Sequence, residues 1–123
     1  MKCELHLGDC LEVLKTLADN SIDLVLTDPP YGTTKCKWDS VIALEPLWAE
    51  LKRVAKPRAA IVMTASQPFT TALISSNLKD FKYCWVWEKE AGTGFLNAKK
   101  MPLKSHEDVV VFYRKQTFYC PQF

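Results

Sequence analysis

A short apolar run that ends at two prolines is the feature that most restricts how this chain can fold. Ile22–Thr27 is rich in Leu, Val and Ile, which is typical of a β-strand inside a sheet covered on both faces. Asp28-Pro29-Pro30-Tyr31-Gly32 follows at once. Neither proline offers a backbone N–H, so the strand ladder cannot continue. The run therefore predicts a buried strand that delivers Asp28 to a rigid loop at its carboxyl end.

The rest of the chain alternates between strand and helix patterns. Further predicted elements are a strand at Cys3–Leu7, a helix after Asp9 carrying Leu11, Leu14, Leu17 and Ala18, a helix from Leu44 to Val54, a strand at Ala59–Thr64, a helix from Ser66 to Asn77, strands at Lys82–Glu88 and Asp108–Tyr113, a long functional loop at Lys89–Glu107 between them, and an extended tail from Lys115 to Phe123. This order predicts an α/β fold with a mostly parallel sheet and an antiparallel edge hairpin. Ligands of such sheets bind beyond the carboxyl ends of the strands, where Asp9, Asp28 and Thr64–Ser66 lie.

Size and composition bound the class of protein. The chain has 123 residues, 48% of them hydrophobic and 24% charged, which suits one globular domain over residues 1–123. No apolar run approaches the roughly 20 residues of a membrane span, and the N-terminus lacks a signal-peptide core, so we expect a cytoplasmic protein without a membrane partner. Five cysteines without a C-x-x-C pair and only two distant histidines predict no disulfide framework and no metal site. The net charge of +2 permits a nucleic-acid partner without requiring one.

The loop at Asp28–Tyr31 has the groups needed to methylate the exocyclic amine of a nucleobase. The lone pair of such an amine is delocalised into the ring, and two acceptors that bind both N–H groups localise it on nitrogen. Asp28 offers a carboxylate, and a carbonyl of the Asp28-Pro29-Pro30 backbone offers the second acceptor. Each proline stiffens itself and the residue before it. Tyr31 provides an aromatic face for a base extruded from the duplex.

These residues carry a family resemblance. Asp28-Pro29-Pro30-Tyr31 resembles the hallmark of the amino-methyltransferases that act on DNA. The run Leu24–Thr34 is similar to phage and prophage adenine-N6 methyltransferases of the class that places the catalytic loop before the cofactor loop. The resemblance continues through the segments Cys36–Asp39, Thr64–Phe69, Trp87–Lys89, Phe95–Lys100 and His106–Glu107. It therefore covers essentially the whole chain.

The resemblance implies a fold, a cofactor and a set of site residues. It implies the catalytic half of a Rossmann-like methyltransferase sheet, with Asp28, Pro29, Pro30 and Tyr31 as the catalytic loop. S-adenosyl-L-methionine is the implied cofactor, in contact with Asp9, Asp28 and Pro29. The target-recognition region and the glycine-rich cofactor loop are expected to be absent from the chain, because Gly92-Thr93-Gly94 belongs to the substrate-side loop.

Basic residues near these segments predict contacts with double-stranded DNA. Lys99, Lys100 and Lys104 share the long loop with Asn97, which can read a base edge. Lys35 and Lys37 flank the catalytic loop beside the extruded base, together with Tyr31. For Trp38 we expect a packing role. Asp9 suits a helix N-cap as well as a cofactor contact.

Several functions remain open at this point. The first is an adenine-N6 DNA methyltransferase, or the catalytic half of one, and whether the isolated chain is active stays open. A cytosine-N4 DNA methyltransferase is the nearest alternative, although such enzymes more often carry Ser in place of Asp28. Glutamine and RNA guanine-N2 methyltransferases fit less well. A non-catalytic DNA-binding or assembly module derived from a methyltransferase is the alternative from another class. An uncovered apolar surface predicts a homodimer or a complementing chain.

Overall fold

The computed structural model describes all residues, 1–123, and contains three α-helices and four β-strands. In chain order these are α1 (Cys10–Lys15), β1 (Ile22–Thr27), α2 (Leu44–Val54), β2 (Ala55–Ala65), α3 (Phe69–Ser76), β3 (Phe81–Thr93) and β4 (Lys104–Phe112), with a 3₁₀ turn at Phe95–Asn97 before β4. No helix is long and apolar enough to cross a membrane.

The four strands form one sheet in the order β1-β2-β4-β3. β1 and β2 pair in parallel, whereas β4 runs antiparallel to both of its neighbours. Three strands therefore point the same way, and only β4 is reversed. This confirms the predicted α/β class, with a mostly parallel set of strands and an antiparallel hairpin, β3–β4, at one edge.

The core lies between one face of the sheet and the helices. Leu47, Trp48 and Leu51 recur at helical spacing on α2 and pack with Leu73 of α3 against the sheet. Met63 and Phe112 are the sheet residues at the centre of this cluster, and both are fully buried. Leu11 and Leu14 of α1 pack at its margin. All three helices thus cover the same face.

The opposite face of the sheet has no helical layer. Directly paired residues share a face of a sheet, and the register places Leu24, Leu26, Val62, Val109 and Trp85 together. We call these five residues the open sheet face. Leu26 is 70% exposed and Trp85 is 52% exposed. The expectation that β1 is covered on both faces is therefore wrong, because no second layer of helices exists within the chain.

Two elements near the N-terminus differ from the prediction. Cys3–Leu7 forms no strand and is exposed. Its alternating pattern fits a strand, but strand formation also needs a neighbour, and β1 pairs only with β2. The first helix ends at Lys15 with Thr16 as its C-cap, so Leu17 and Ala18 lie beyond it. The carbonyls of Leu14 and Leu17 instead accept hydrogen bonds from Arg53 of α2.

The long loop predicted at Lys89–Glu107 is mostly hairpin. β3 continues to Thr93 and β4 begins at Lys104, so the connection is much shorter than expected. The Lys89 ammonium lies 3.2 Å from the Trp87 ring centroid and 3.3 Å from a Glu107 carboxylate oxygen. The ion pair with Glu107 joins β3 to β4, and the contact with Trp87 lies within β3; together they hold the segment in the sheet although its sequence shows no strand period. The tail after Arg114 has no regular structure, as predicted.

Candidate active site

The carboxyl ends of two neighbouring parallel strands bring Asp28 and Thr64 together. Thr27 of β1 pairs with Met63 of β2, so the next residue of each strand lies at the same edge of the sheet. The Thr64 hydroxyl donates a hydrogen bond of 2.5 Å to Oδ1 of Asp28. This contact fixes the orientation of the exposed Asp28 carboxylate at the mouth of the site.

Tyr31 is held from two sides. Its hydroxyl donates a 3.1 Å hydrogen bond to the same Oδ1 of Asp28. Its ring stacks on Phe69, the first residue of α3, with 5.5 Å between centroids and 18° between planes. Burial, reinforced by the neighbouring Asp28 charge, raises the pKa of Tyr31 to about 12 against the weaker opposing effect of a hydrogen bond with Thr64. Tyr31 is therefore a neutral hydrogen-bond donor at physiological pH.

The segment after Tyr31 folds around the Asp39 carboxylate. Its two oxygens accept hydrogen bonds from the backbone N–H groups of Gly32 (2.9 Å) and Thr34 (2.7 Å). Hydrogen bonds from Thr34 and from the backbone of Gly32 hold the pKa of the Asp39 carboxyl below its usual range. Gly32 has φ +70°, and a Cβ there would lie 2.8 Å from Val41 Cγ2. The loop thus requires a glycine and an ionised aspartate.

These residues border an open cleft of about 620 Å³. Asp28, Pro30, Tyr31, Trp38, Lys104 and Glu107 are among the residues that line it. Tyr31 and Thr64 both bond Oδ1 of Asp28, so Oδ2 takes no hydrogen bond within the chain. A carboxylate oxygen that is oriented and free beside an aromatic ring suits an N–H donor on a planar ligand.

A smaller apolar cavity of about 210 Å³ lies behind the catalytic loop. The buried Pro29 lines both this cavity and the cleft, and Cys10, Val13 and Leu14 of α1 form its other side. Asp9 caps α1 by accepting a 2.8 Å hydrogen bond from the Leu11 N–H. This confirms its predicted N-cap role, and its cofactor contact stays a prediction.

The predicted DNA-binding lysines fall into two groups. Lys104 lines the cleft, where its ammonium donates a hydrogen bond to the Ser66 hydroxyl. The others are exposed and lie outside the cleft lining, namely Lys35 and Lys37 before Trp38, and Asn97, Lys99 and Lys100 at the tip of the β3–β4 hairpin. All five cysteines are free and exposed, and Cys36 lies between Lys35 and Lys37.

Four residues of the site are missing from the sequence-based prediction or were given another role. Thr64, Phe69 and Asp39 each contact the catalytic loop directly. The position of Thr64 at a strand end indicates that it lies near the site. The contact partners of Phe69 and Asp39 are distant in the sequence or depend on the loop conformation, so no sequence pattern indicates them. For Trp38 the packing role is wrong, because its side chain is 74% exposed at the lip of the cleft.

The α/β sheet, with its Asp-Pro-Pro-Tyr loop at the carboxyl end of a parallel strand, matches the methyltransferase domain expected from the sequence. Comparisons with known proteins give the same class. Residues 6–91 match the family described as RMKL-like, methyltransferase domain, and the chain belongs to this family.

Individual relatives cover the chain almost completely but are longer than it. The type II methyltransferase M.HpaI of Haemophilus parainfluenzae is 26% identical over 91% of this chain and 39% of its own length. The PvuII DNA methyltransferase (cytosine-N4-specific) superposes with a TM-score of 0.69 at 15% identity, over 91% of this chain and 49% of its own. The structure of TTHA0409 of Thermus thermophilus, complexed with S-adenosyl-L-methionine, superposes with a TM-score of 0.66 at 20% identity. The match covers 95% of this chain and 57% of that protein. The chain thus spans about half the length of these relatives.

Proposed function

We propose that this chain is the substrate-side half of a site-specific DNA methyltransferase that transfers a methyl group from S-adenosyl-L-methionine to the exocyclic N6 of an extruded adenine. The observation that carries the proposal is the free Oδ2 of Asp28, whose other carboxylate oxygen, Oδ1, is held at the cleft by the hydroxyl groups of Tyr31 and Thr64. It would accept one N–H of the amine, and a carbonyl of the proline-stiffened loop would accept the other.

Tyr31 supports the same substrate. Phe69 stacks on its ring, so the ring is fixed before any ligand binds. A base that leaves the duplex loses its stacking partners, and a fixed aromatic ring in the cleft replaces part of that energy. The neutral phenol also keeps a second negative charge away from Asp28 at physiological pH.

The cofactor would approach Pro29 and Asp28 at its reactive end, with Asp9 near its adenosine. S-adenosyl-L-methionine supplies an electrophilic methyl group when it is bound. The apolar cavity beside Pro29, about 210 Å³, is smaller than the roughly 300–1,000 Å³ of a typical ligand pocket. The described residues therefore fit one end of the cofactor, and we propose that a partner chain or a further region supplies the rest of its pocket.

Adenine is favoured over cytosine by residue 28. The resemblance links Asp at this position with adenine-N6 enzymes, whereas cytosine-N4 enzymes more often carry Ser there. The similar fold of the PvuII enzyme, which is cytosine-N4-specific, keeps cytosine as the second candidate. Both bases present an exocyclic amine to Asp28, so the product must be identified chemically.

The direct test measures methyl transfer to DNA and identifies the methylated nucleoside. Calorimetric titration of S-adenosyl-L-methionine into the chain comes first. Nucleoside analysis follows on DNA incubated with the chain, the cofactor and a completing chain, namely the part of a relative that this chain does not cover. We expect N6-methyladenine, and we expect Asp28→Asn to reduce its formation by at least about 100-fold, as loss of a preorganised transition-state contact does elsewhere. Asp23→Asn is the matched control, because Asp23 lies on β1 outside the cleft and pairs with Lys56 of β2.

The outcomes separate the candidate functions. N4-methylcytosine as the product would replace adenine by the second candidate. Equal activity of the Asp28→Asn and wild-type chains would remove Asp28 from the mechanism. A third outcome is DNA binding without cofactor binding, even when the part of a relative that this chain does not cover is added as a separate chain. That outcome would support the non-catalytic DNA-binding module instead.

A further inference from the structure

Trp38 is in an unusual place for the largest apolar side chain. Its indole is 74% exposed, yet it lines the same cleft as Asp28 and Tyr31. Exposing this much apolar surface to water is unfavourable, and nothing in the core requires it. The position therefore points to a ligand that covers the indole when it enters the cleft.

The neighbouring residue holds Trp38 at this position. Asp39 is only 9% exposed, and its carboxylate binds the N–H groups of Gly32 and Thr34. Its own N–H donates a 3.0 Å hydrogen bond to the Cys36 carbonyl, which closes the turn that carries Trp38. Asp39 thus connects the backbone that carries Trp38 to the end of the catalytic loop, so the positions of Trp38 and of the loop are fixed relative to each other.

The charges in the cleft indicate which part of a nucleotide it accepts. Asp28, Asp39 and Glu107 contribute carboxylates, and Lys104 is the only cationic lining residue. Glu107 is paired with Lys89 and Asp39 is bound to backbone N–H groups, so Asp28 is the carboxylate with an oxygen open to a ligand. Carboxylates repel a phosphate and accept N–H groups. Lys35 and Lys37 lie on the loop outside the cleft, where phosphates would meet positive charge. The cleft itself is suited to a neutral, planar ring with N–H donors.

We propose that Trp38 is a binding residue that stacks on a nucleobase in the cleft, and that Asp39 is its positioning residue. The proposal rests on the proposed function only in taking a nucleobase as the ligand, and it requires no methyl transfer. Trp38 and Tyr31 then supply two aromatic contacts to one base, while Asp28 receives its amine.

The test measures binding of a short single-stranded oligodeoxyadenylate by fluorescence anisotropy at low salt. An abasic strand of the same length serves as the probe without bases. Trp38→Ala is expected to weaken oligodeoxyadenylate binding on the order of tenfold, within the range of a lost base–aromatic stack. Trp38→Tyr should retain most of the affinity. Trp85→Ala, which removes another exposed indole outside the cleft lining, should change nothing.

A second measurement separates positioning from stacking. Asp39→Asn is expected to weaken oligodeoxyadenylate binding and to speed hydrogen exchange at the Gly32 and Thr34 amides, because one acceptor oxygen becomes an NH₂ group. Trp38→Ala should leave those two amides protected. Neither substitution should alter binding of the abasic strand, since that strand offers no base to stack.

Three results would overturn the inference: no binding of oligodeoxyadenylate by the wild-type chain, unchanged binding by Trp38→Ala, or an equal loss on the abasic strand. Failure of the proposed function has a different signature. Trp38-dependent binding without methyl transfer, in the presence of cofactor and a completing chain, would leave the stacking site in place and remove the enzyme assignment.

Discussion

At the scale of single residues, Gly32 joins the chemistry of the site to its backbone. Its φ of +70° lies in the left-handed region, its N–H binds Asp39, and its missing side chain leaves room for Val41. An L-residue in this conformation costs about 1–2 kcal/mol, and overpacking adds about 1–3 kcal/mol. The residue after Tyr31 is thus constrained by three separate requirements.

Gly32→Ala is therefore expected to destabilise the chain by about 2–5 kcal/mol in denaturant unfolding, because backbone strain and the Val41 contact act together. Gly94→Ala is the matched control. Gly94 has φ +88° but open space around its Cβ position, so only the backbone term of about 1–2 kcal/mol applies. Adding Val41→Ala to Gly32→Ala should recover part of the loss. Equal costs at both glycines would mean that the Val41 contact is unimportant.

Site residues that belong to a local sequence motif could be predicted from the sequence, whereas those whose partners are distant in the chain could not. Asp28 and Tyr31 form a motif directly after a strand, so their neighbourhood is visible in the chain. Thr64 meets Asp28 only through the β1–β2 register. The contact between Asp39 and Gly32 depends on how the loop closes. Trp38 is an apolar residue type that is usually buried, but in the fold it is exposed.

At the scale of elements, the β3–β4 hairpin differs most from the sequence pattern. A period-2 pattern is weak beyond Glu88, yet pairing continues to Thr93 opposite Lys104. Lys89 contacts Trp87 within β3, but its ion pair with Glu107 of β4 is a cross-strand contact that no local pattern contains. The hairpin carries Lys99 and Lys100 at its exposed tip, whereas Lys89 and Lys104 are engaged within the fold.

Neutralising the hairpin tip should therefore weaken DNA binding and reduce its dependence on salt. For Lys99→Ala with Lys100→Ala, loss of two phosphate contacts lowers the slope of log K against log salt by roughly 1.8. Titrations of duplex DNA at several salt concentrations measure this slope. The control, Lys79→Ala with Lys82→Ala, removes the same charge at the opposite end of the hairpin. An unchanged slope in the tip variant would exclude these lysines from the interface.

At the scale of the whole molecule, the sheet has a core on one face only. The class of fold and the direction of most strands follow from the alternation of strand and helix patterns, and the sequence predicts both correctly. Whether the second face of the sheet is covered cannot be predicted in this way. Leu24 and Leu26 are apolar like buried strand residues, yet both are exposed. Whether such residues are covered depends on elements that this chain does not contain.

The open sheet face is expected to make the chain self-associate. Sedimentation over a range of concentrations should show an average mass that rises from monomer towards dimer, because exposed apolar area is removed from water on association. Leu24→Lys with Leu26→Lys should shift this equilibrium back towards monomer. Leu78→Lys, at a residue that is 68% exposed outside the sheet, is the control. A monomeric mass for the wild-type chain at all concentrations would contradict the expectation.

The exposed Cys36 thiol gives the catalytic loop a natural site for covalent labelling. It lies two residues from Trp38, in the turn closed by Asp39, and it requires no engineered residue. Cys3, Cys84 and Cys120 are exposed as well and line neither the cleft nor the apolar cavity, so they provide internal standards within the same sample. Alkylation followed by peptide mass spectrometry therefore compares occupancy of the cleft lip with that of the remaining surface in a single reaction tube. The rate at which Cys36 is alkylated therefore reports whether a ligand occupies the cleft.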